Sequence, residues 1–372
     1  MIVGVPKEVK DHEYRVGLVP SSVRELVRAG HQVLVQSNAG SGIGIPDAIY
    51  QTVGADIIET PEEIFKRADL IVKVKEPQSQ ECHMLRAGQV LFTYLHLAAD
   101  HHLAKMLQKS GCVAIAYETV TDSYGGLPLL TPMSEVAGRL SIQAGAHSLE
   151  KSQGGRGVLL GGVPGVAPAN VVVLGGGVVG VNAIRMAIGA EASVTVIDKS
   201  LPRLQQLDMQ FGAKLNTIFA THDAIEKYVL EADLVVGAVL VPGAAAPKLV
   251  TKEMINRMKE GAVIVDVAID QGGCFETSKP TTHTHPTYKV GGVIHYCVTN
   301  MPSMVSRTSS FALNNATLPF VLAIANKGYK AALLDDRHLL DGLNICKGSI
   351  TYPAVAQDMK TTWLSPKEAL VQ

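Results

Sequence analysis

Asn170-Val-Val-Val-Leu-Gly175-Gly176-Gly177-Val-Val-Gly180-Val-Asn-Ala-Ile184 reads as a short buried strand that enters a glycine turn and leaves it as a helix. Asp198 closes the next apolar run, Ser193-Val-Thr-Val-Ile. Strand, Gly175-x-Gly177-x-x-Gly180, helix, second strand and terminal acid together describe a dinucleotide-binding βαβ unit. Gly175 permits the tight strand-to-helix turn, a side chain at Gly177 would collide with a pyrophosphate, and Gly180 lets the helix lie close to the strand. Unpaired N–H groups at the helix start then face the phosphates, helped by the macrodipole. Asp198 can accept from both ribose hydroxyls and would repel a 2′-phosphate, so the expected cofactor is NAD.

A chain of 372 residues is long for one domain, and two is the natural expectation. Apolar residues make up 47% and charged residues 18%, where about 25% charged is ordinary. Sheets covered on both faces, or a large subunit interface, would account for that shortage of charge. The net charge of −1 argues against a nucleic-acid binder, which needs a concentrated basic face. The start, Met1-Ile-Val-Gly-Val-Pro-Lys, lacks the basic segment and long apolar run of a signal peptide. The uncharged run 157–184 is long enough for a membrane span, but its glycines, Pro164 and Pro168 argue against one. Cys82, Cys112, Cys274, Cys297 and Cys346 are scattered and lack CxxC spacing, as expected of small core residues in a reducing cytoplasm.

Before the crossover, short apolar runs alternate with helical patterns. Strands are expected at Ile2–Val5, Gln32–Gln36, Asp56–Ile58, Leu70–Val74, Val90–Tyr94 and Val113–Tyr117, with helices such as Ser21–Ala29, Pro61–Lys66 and His101–Lys109 between them. This alternation implies a mostly parallel, doubly wound α/β sheet. Residues 122–133 are rich in turn formers and read as a crossover, followed by one long helix over Ser134–Ser152. Further strands are expected near Val194–Asp198, Lys214–Ile218, Leu234–Val236 and Val263–Val267, and a loop over Lys279–Tyr288. Ser303–Lys327 is helical in pattern, with Pro319 expected to kink or divide it. The tail, with short helices around Ala331–Leu334 and Ala354–Met359, has too few strands for a third domain and is expected to return to the first.

Arg15, Lys75, His96 and Glu118 follow or end strands of the first domain, and Asp270 follows one in the second. In open parallel sheets ligands bind at the carboxyl ends of the strands, so these residues could converge on one cleft. Each alone also fits a solvated or capping group. Lys73 and Lys75 alternate, so one of them is expected at the surface. His283-x-His285 lacks a completing ligand and reads as loop surface, and no metal site is expected.

The chain resembles the alanine dehydrogenase family over nearly its whole length. The resemblance rests on Gly4-Val-Pro-Lys-Glu with Glu13-x-Arg15-Val, Lys75-Glu-Pro, Tyr94-Leu-His96-Leu and Thr131-Pro-Met-Ser-Glu-Val-Ala-Gly. It continues through Val173-Leu-Gly-Gly-Gly-Val-Val-Gly, Asp266-Val-Ala-Ile-Asp270-Gln-Gly-Gly and Asn300-Met-Pro. It implies two Rossmann-like domains, a discontinuous catalytic one (1–129 and 307–372) and an NAD domain (130–306), with the active-site cleft between them. It also implies a cytoplasmic homohexamer that interconverts L-alanine with pyruvate and ammonia. By the same resemblance Arg15 and Lys75 hold the substrate carboxylate and polarise the carbonyl, His96 is the acid/base, and Asp270 assists. NAD contacts are implied at Ser134, Gly175, Gly177, Val178, Val179, Gly180, Asp198, Val239 and Leu240. More are implied at Val267, Ala268, Ile269, Asp270, Lys279, Val298, Thr299, Asn300 and Met301. Lys279 stands where some relatives carry arginine, and Ala220 where some carry serine.

Two other readings compete. The NAD-binding subunit of a proton-translocating transhydrogenase shares the two-domain fold but serves a membrane partner. A non-catalytic NAD-sensing protein would have no need of Arg15, Lys75, His96 and Asp270 together.

Overall fold

The computed structural model describes residues 1–239 and 246–371. It resolves into two α/β units, Met1–Met133 with the chain from Ser303 onward, and Ser134–Pro302.

In the first unit β1 (Ile2–Val5), β2 (Gln32–Gln36), β3 (Asp56–Ile58), β4 (Leu70–Val72), β5 (Val90–Thr93) and β6 (Val113–Ala116) pair in parallel. In the second, β7 (Asn170–Leu174), β8 (Ser193–Asp198), β9 (Leu215–Phe219), β10 (Leu234–Gly237) and β11 (Val263–Asp266) do likewise, and an antiparallel β12 (Thr287–Val290) edges the sheet beyond the parallel β13 (Val293–Tyr296). The chain then returns to the first unit with β14 (Leu343–Cys346), antiparallel to β6, and β15 (Ser349–Ile350), antiparallel to β14. The strand orders are β3-β2-β1-β4-β5-β6-β14-β15 and β9-β8-β7-β10-β11-β13-β12. Each sheet therefore reverses direction once, between β1 and β4 in the first and between β7 and β10 in the second. That is the doubly wound arrangement expected of the sequence, and the reversal is where such sheets bind ligands.

The β-branched runs become strands because both sheet faces are covered. Ile71 lies beside Leu91, Leu91 beside Ala114, and Ala114 beside Ile345, giving a buried row across four strands. That row packs against Ile64, Phe65, Leu103 and Leu107 of the flanking helices. The opposite face carries Val3, Leu70, Val72, Phe92 and Ile115, which are buried as well. Each such side chain contributes about 1.5–3 kcal/mol relative to exposure.

Four local expectations change. The connecting helix runs from Thr131 to Ser148, with a separate turn at Lys151–Gln153. Pro132 needs no N–H in the first turn, so the helix can begin before Ser134. Pro319 does not divide its helix, which runs unbroken from Ser306 to Lys327. The lost backbone bond costs about 3 kcal/mol, and burial of Leu313, Val321 and Ile324 on both sides of the proline outweighs it. The expected loop 279–288 ends early, because Thr287 and Tyr288 begin β12. Gly291 and Gly292, at φ 57° and 84°, make the two-residue hairpin to β13, a turn that needs positive φ twice. The tail also contributes β14 and β15, which its short, turn-broken pattern conceals. No helix of the described residues is long and apolar enough to cross a membrane.

Candidate active site

Arg15 sits in the loop that leaves the carboxyl end of β1. The loop is pinned from the distant helix Ser306–Lys327. Val16 N–H donates to Ser310 Oγ (3.2 Å), Val19 N–H to Asn314 Oδ1 (2.8 Å), and Asn314 Nδ2 donates to the Gly17 carbonyl (3.2 Å). Gly17 itself lies so near β4 that a Cβ would stand 2.3 Å from the Val72 carbonyl oxygen. Arg15 is buried, and Glu13 takes its Nε (2.7 Å) and NH2 (2.6 Å), which fixes the guanidinium plane. Burial works against the charge, but the bonds and charge of Glu13 hold the arginine pKa above its ordinary value.

Lys75 follows β4, and its carbonyl accepts from Thr93 Oγ1 (3.0 Å) at the end of β5. Lys73 does not reach the surface as the alternation suggested it or Lys75 would. Its side chain is fully buried, and Lys75 is half-buried. Alternation separates the two faces of a sheet, but here neither face is solvent. Lys73 Nζ donates to Glu81 Oε1 (2.7 Å) and Glu8 Oε2 (3.2 Å). Burial opposes its charge, yet the two carboxylates raise its pKa. Burial pushes Glu8 up to about 7, with Lys73 limiting the rise. Next in sequence to Lys75, Glu76 pairs with Lys10. Burial works to raise the Glu76 pKa, but Lys75, Lys10 and His96 together hold it below its ordinary value.

His96 lies three residues beyond β5 in an exposed turn. Its φ is 52°, the left-handed region that non-glycine residues seldom occupy. Glu118, in the short turn Tyr117–Thr119 after β6, accepts from His96 N–H (2.6 Å) and Leu95 N–H (3.0 Å). The imidazole stacks on Tyr94 (centroids 5.9 Å apart, planes 10° apart), and the Tyr94 hydroxyl donates to the Leu129 carbonyl (2.5 Å). Burial raises the Tyr94 pKa, Arg15 opposes that rise and Glu118 adds to it, which places Arg15 and Glu118 in the electrostatic neighbourhood of the ring. Arg15, Lys75 and His96 thus leave the carboxyl ends of three neighbouring strands, β1, β4 and β5.

In the second unit the three fingerprint glycines answer to different constraints. Gly175 has φ 96°, and a Cβ there would meet the Ala238 carbonyl oxygen at 2.9 Å across the sheet reversal. At Gly180 a Cβ would lie 1.9 Å from the Gly175 carbonyl oxygen. A Cβ at Gly177 would meet no atom of the chain within 4 Å. Nothing internal excludes a side chain at that point, so the space suits a group from outside the chain, as a dinucleotide cradle requires. Gly177 caps the helix Val178–Gly189, whose start carries Val178 and Val179. Ser134 lies one turn ahead of Gly138, where a Cβ would come 2.2 Å from the Val179 carbonyl oxygen. Asp198 ends β8 and accepts from Gly176 N–H (2.7 Å) and Ser200 N–H (2.8 Å). Arg203 Nε donates to the Gly176 carbonyl (2.5 Å).

Val239 follows β10, half-buried, while Leu240 lies outside the described residues. Val267, Ala268, Ile269 and Asp270 form a tight turn after β11, with Asp270 exposed. Buried Asp266 shapes that turn, accepting from Ala268 N–H (3.1 Å), Cys274 N–H (3.0 Å) and Ser278 Oγ (2.5 Å). Burial raises its pKa against those bonds. Val298, Thr299, Asn300 and Met301 follow β13, with Asn300 at φ 58°. Lys279 is exposed, its N–H bonded to the Tyr288 hydroxyl (2.7 Å). Ala220 is half-buried just past β9. Apart from Lys279, Ser134 and Ala220, these positions follow the carboxyl ends of β7, β8, β10, β11 and β13. The sequence reading missed Glu8, Glu76, Asp266, Ser310 and Asn314 as supports. Ser310 and Asn314 stand four apart on a helix that carries many other polar residues, so nothing local singles them out.

Two family profiles cover the chain. "Alanine dehydrogenase/PNT, N-terminal domain" matches residues 4–137, and "Alanine dehydrogenase/PNT, C-terminal domain" matches residues 141–353. An alanine dehydrogenase of Halomonas elongata is 61% identical over 96% of this chain and 96% of its own length. A solved L-alanine dehydrogenase superposes with a TM-score of 0.94 at 52% identity, covering 97% of this chain and 99% of the other. A transhydrogenase from Sinorhizobium meliloti gives a TM-score of 0.83 at 24% identity, over 94% of this chain and 100% of the other, and so shares the fold.

Proposed function

The chain belongs to the alanine dehydrogenase/PNT family, and we propose that it is an NAD-dependent alanine dehydrogenase, converting L-alanine to pyruvate and ammonia and back. The observation that carries this reading is the departure of Arg15, Lys75 and His96 from three adjacent strand ends, in a chain matching alanine dehydrogenases over nearly its whole length. Nothing favours the transhydrogenase reading beyond the shared fold.

The substrate chemistry suits these side chains. Arg15, its plane fixed by Glu13, holds the small carboxylate. Lys75 sets a positive charge at the carbonyl oxygen, which favours attack by ammonia or water. His96 moves the proton that hydride transfer and carbinolamine formation require, a task for which an imidazole is suited near neutral pH. Asp270 assists from the turn after β11. Bound NAD supplies the hydride acceptor. Gly175, Gly177, Gly180, Asp198 and the loops after β10, β11 and β13 would hold it. Absorbance at the NADH band with L-alanine, NAD and the purified chain tests the reading; no NADH would sink it.

Asp198 sets the choice of cofactor in this proposal. Its carboxylate is already oriented by Gly176 N–H and Ser200 N–H, and a 2′-phosphate brought there would meet its negative charge. Asp198→Ala should raise KM for NAD by about tenfold, the worth of one charge-assisted bond pair, and relax the rejection of NADP. Equal use of both cofactors by the unaltered protein would refute the assignment.

The same reading includes a cytoplasmic homohexamer. Low charge and high apolar content leave surface to be covered, and the resemblance supplies the number. Light scattering should report a mass several times the 39.5 kDa of one chain; a value near that of the single chain would exclude it.

A further inference from the structure

We infer that Glu118 is a positioning residue for His96, holding the imidazole in place through the backbone. The inference rests on the reading of His96 as the acid/base. Its carboxylate receives two consecutive backbone N–H groups, Leu95 (3.0 Å to Oε1, 3.2 Å to Oε2) and His96 (2.6 Å). Successive N–H groups that converge this way form a concave anion nest, and the geometry requires a left-handed residue within it. His96 is that residue, at φ 52°. An L side chain disfavours this conformation, so something outside the turn must stabilise it. Glu118 does so from the neighbouring strand: β5 and β6 run parallel with Thr93 opposite Ala116, and the two turns leave the sheet side by side.

The side chain's aim follows from the backbone. With φ positive, the His96 ring lies on Tyr94, which is itself tied to Leu129. Without the carboxylate the two N–H groups lose their partner, φ relaxes to the negative region and the ring leaves Tyr94. Two other charged groups bear on this turn. Glu76 couples electrostatically to His96, and Arg15 to Tyr94. Neither bonds the 95–96 backbone in the contacts described above, so the conformational hold is assigned to Glu118.

Glu118→Ala should lower kcat by roughly 10–100-fold, the scale of an ångström-sized misplacement of a reacting group, with KM for NADH nearly unchanged. Glu118→Gln keeps an oxygen acceptor and should recover most of that loss. Glu118→Asp, whose carboxylate is drawn back by one methylene, should fall between them and serves if the alanine variant does not fold. Ring-labelled histidine in the full-length protein supplies a readout that general destabilisation would not move. The His96 carbon signals, identified by their loss in His96→Ala, should shift in Glu118→Ala as the ring leaves Tyr94 and return in Glu118→Gln. Unmoved ring signals, or a normal kcat in Glu118→Ala beside a crippled His96→Ala, would overturn the inference alone. A His96→Ala enzyme of near-normal kcat would bring down the acid/base reading, and this inference with it.

Discussion

His96→Ala is expected to lower kcat by about 10²–10⁴-fold, the usual contribution of a positioned acid/base, while leaving NAD affinity close to that of the parent. The expectation follows from where the imidazole is and what holds it. It is exposed at the carboxyl end of β5, stacked on Tyr94, with its backbone pinned by Glu118. None of those contacts is to the glycine turn at Gly175–Gly180, so cofactor binding should survive the substitution. The alternative is that His96 only completes the turn and that the proton passes to water or Asp270. Arg15→Met offers the contrast: it should act through substrate, raising KM for alanine and pyruvate more than it lowers kcat. Steady-state kinetics in both directions, with pH–rate profiles, separate the two. A His96→Ala enzyme with near-normal kcat and an unchanged profile would decide for the alternative.

Lys73→Met should destabilise the first unit by about 3–5 kcal/mol, the cost of removing one partner from a buried ion pair, out of a typical total of about 5–15 kcal/mol. Methionine matches the lysine stem in shape, so packing is preserved and the loss isolates the charge. What remains is Glu8 and Glu81, both buried, with Glu13 close enough to add to the repulsion on Glu8. A pH dependence accompanies it. The folded-state pKa of Glu8, about 7, exceeds the ordinary 4.5. Between those values the folded chain therefore binds more protons than the unfolded one, so stability falls as pH rises toward 7 and levels off above it. Glu8→Gln should flatten that slope. Urea unfolding of parent, Lys73→Met and Glu8→Gln from pH 5 to pH 8 checks both statements. A midpoint for Lys73→Met within error of the parent would show the triad to be dispensable.

The parts of this structure legible in the sequence are those fixed by local physics. The βαβ glycines declare themselves because φ at Gly175 and the close approach at Gly180 admit no other residue. The parallel strands show as unbroken apolar runs because both faces are buried. That same burial misleads at Lys73, since a period of two tells one face from the other but not which face meets water. The first strand of the β12–β13 hairpin begins inside the expected loop Lys279–Tyr288, although Gly291-Gly292 between two short runs is a hairpin signal. Its polar Thr287-Tyr-Lys at the sheet edge masked the strand. At the candidate site, Arg15, Lys75 and His96 could be placed at strand ends from the runs preceding them. What holds them could not. Glu13, Glu118, Ser310 and Asn314 act through contacts set by tertiary packing, and nothing local announces that His96 adopts positive φ.

The bond from Val16 to Ser310 spans 294 positions, and it gives the chain a timetable. A ribosome adding about 5–20 residues per second releases the arginine loop roughly 15–60 s before the helix that ties it down. During that interval the entire second unit emerges, uninterrupted from Ser134 to Pro302. Its fold needs nothing still to be synthesised, whereas β6 must wait for β14 to cover its edge and Gly17 for Asn314. The second unit can therefore be finished on the ribosome while the first is still an open sheet. A chain cut short before Ser306 would carry Gly175, Gly177 and Gly180 and lack the helix that pins the loop around Arg15.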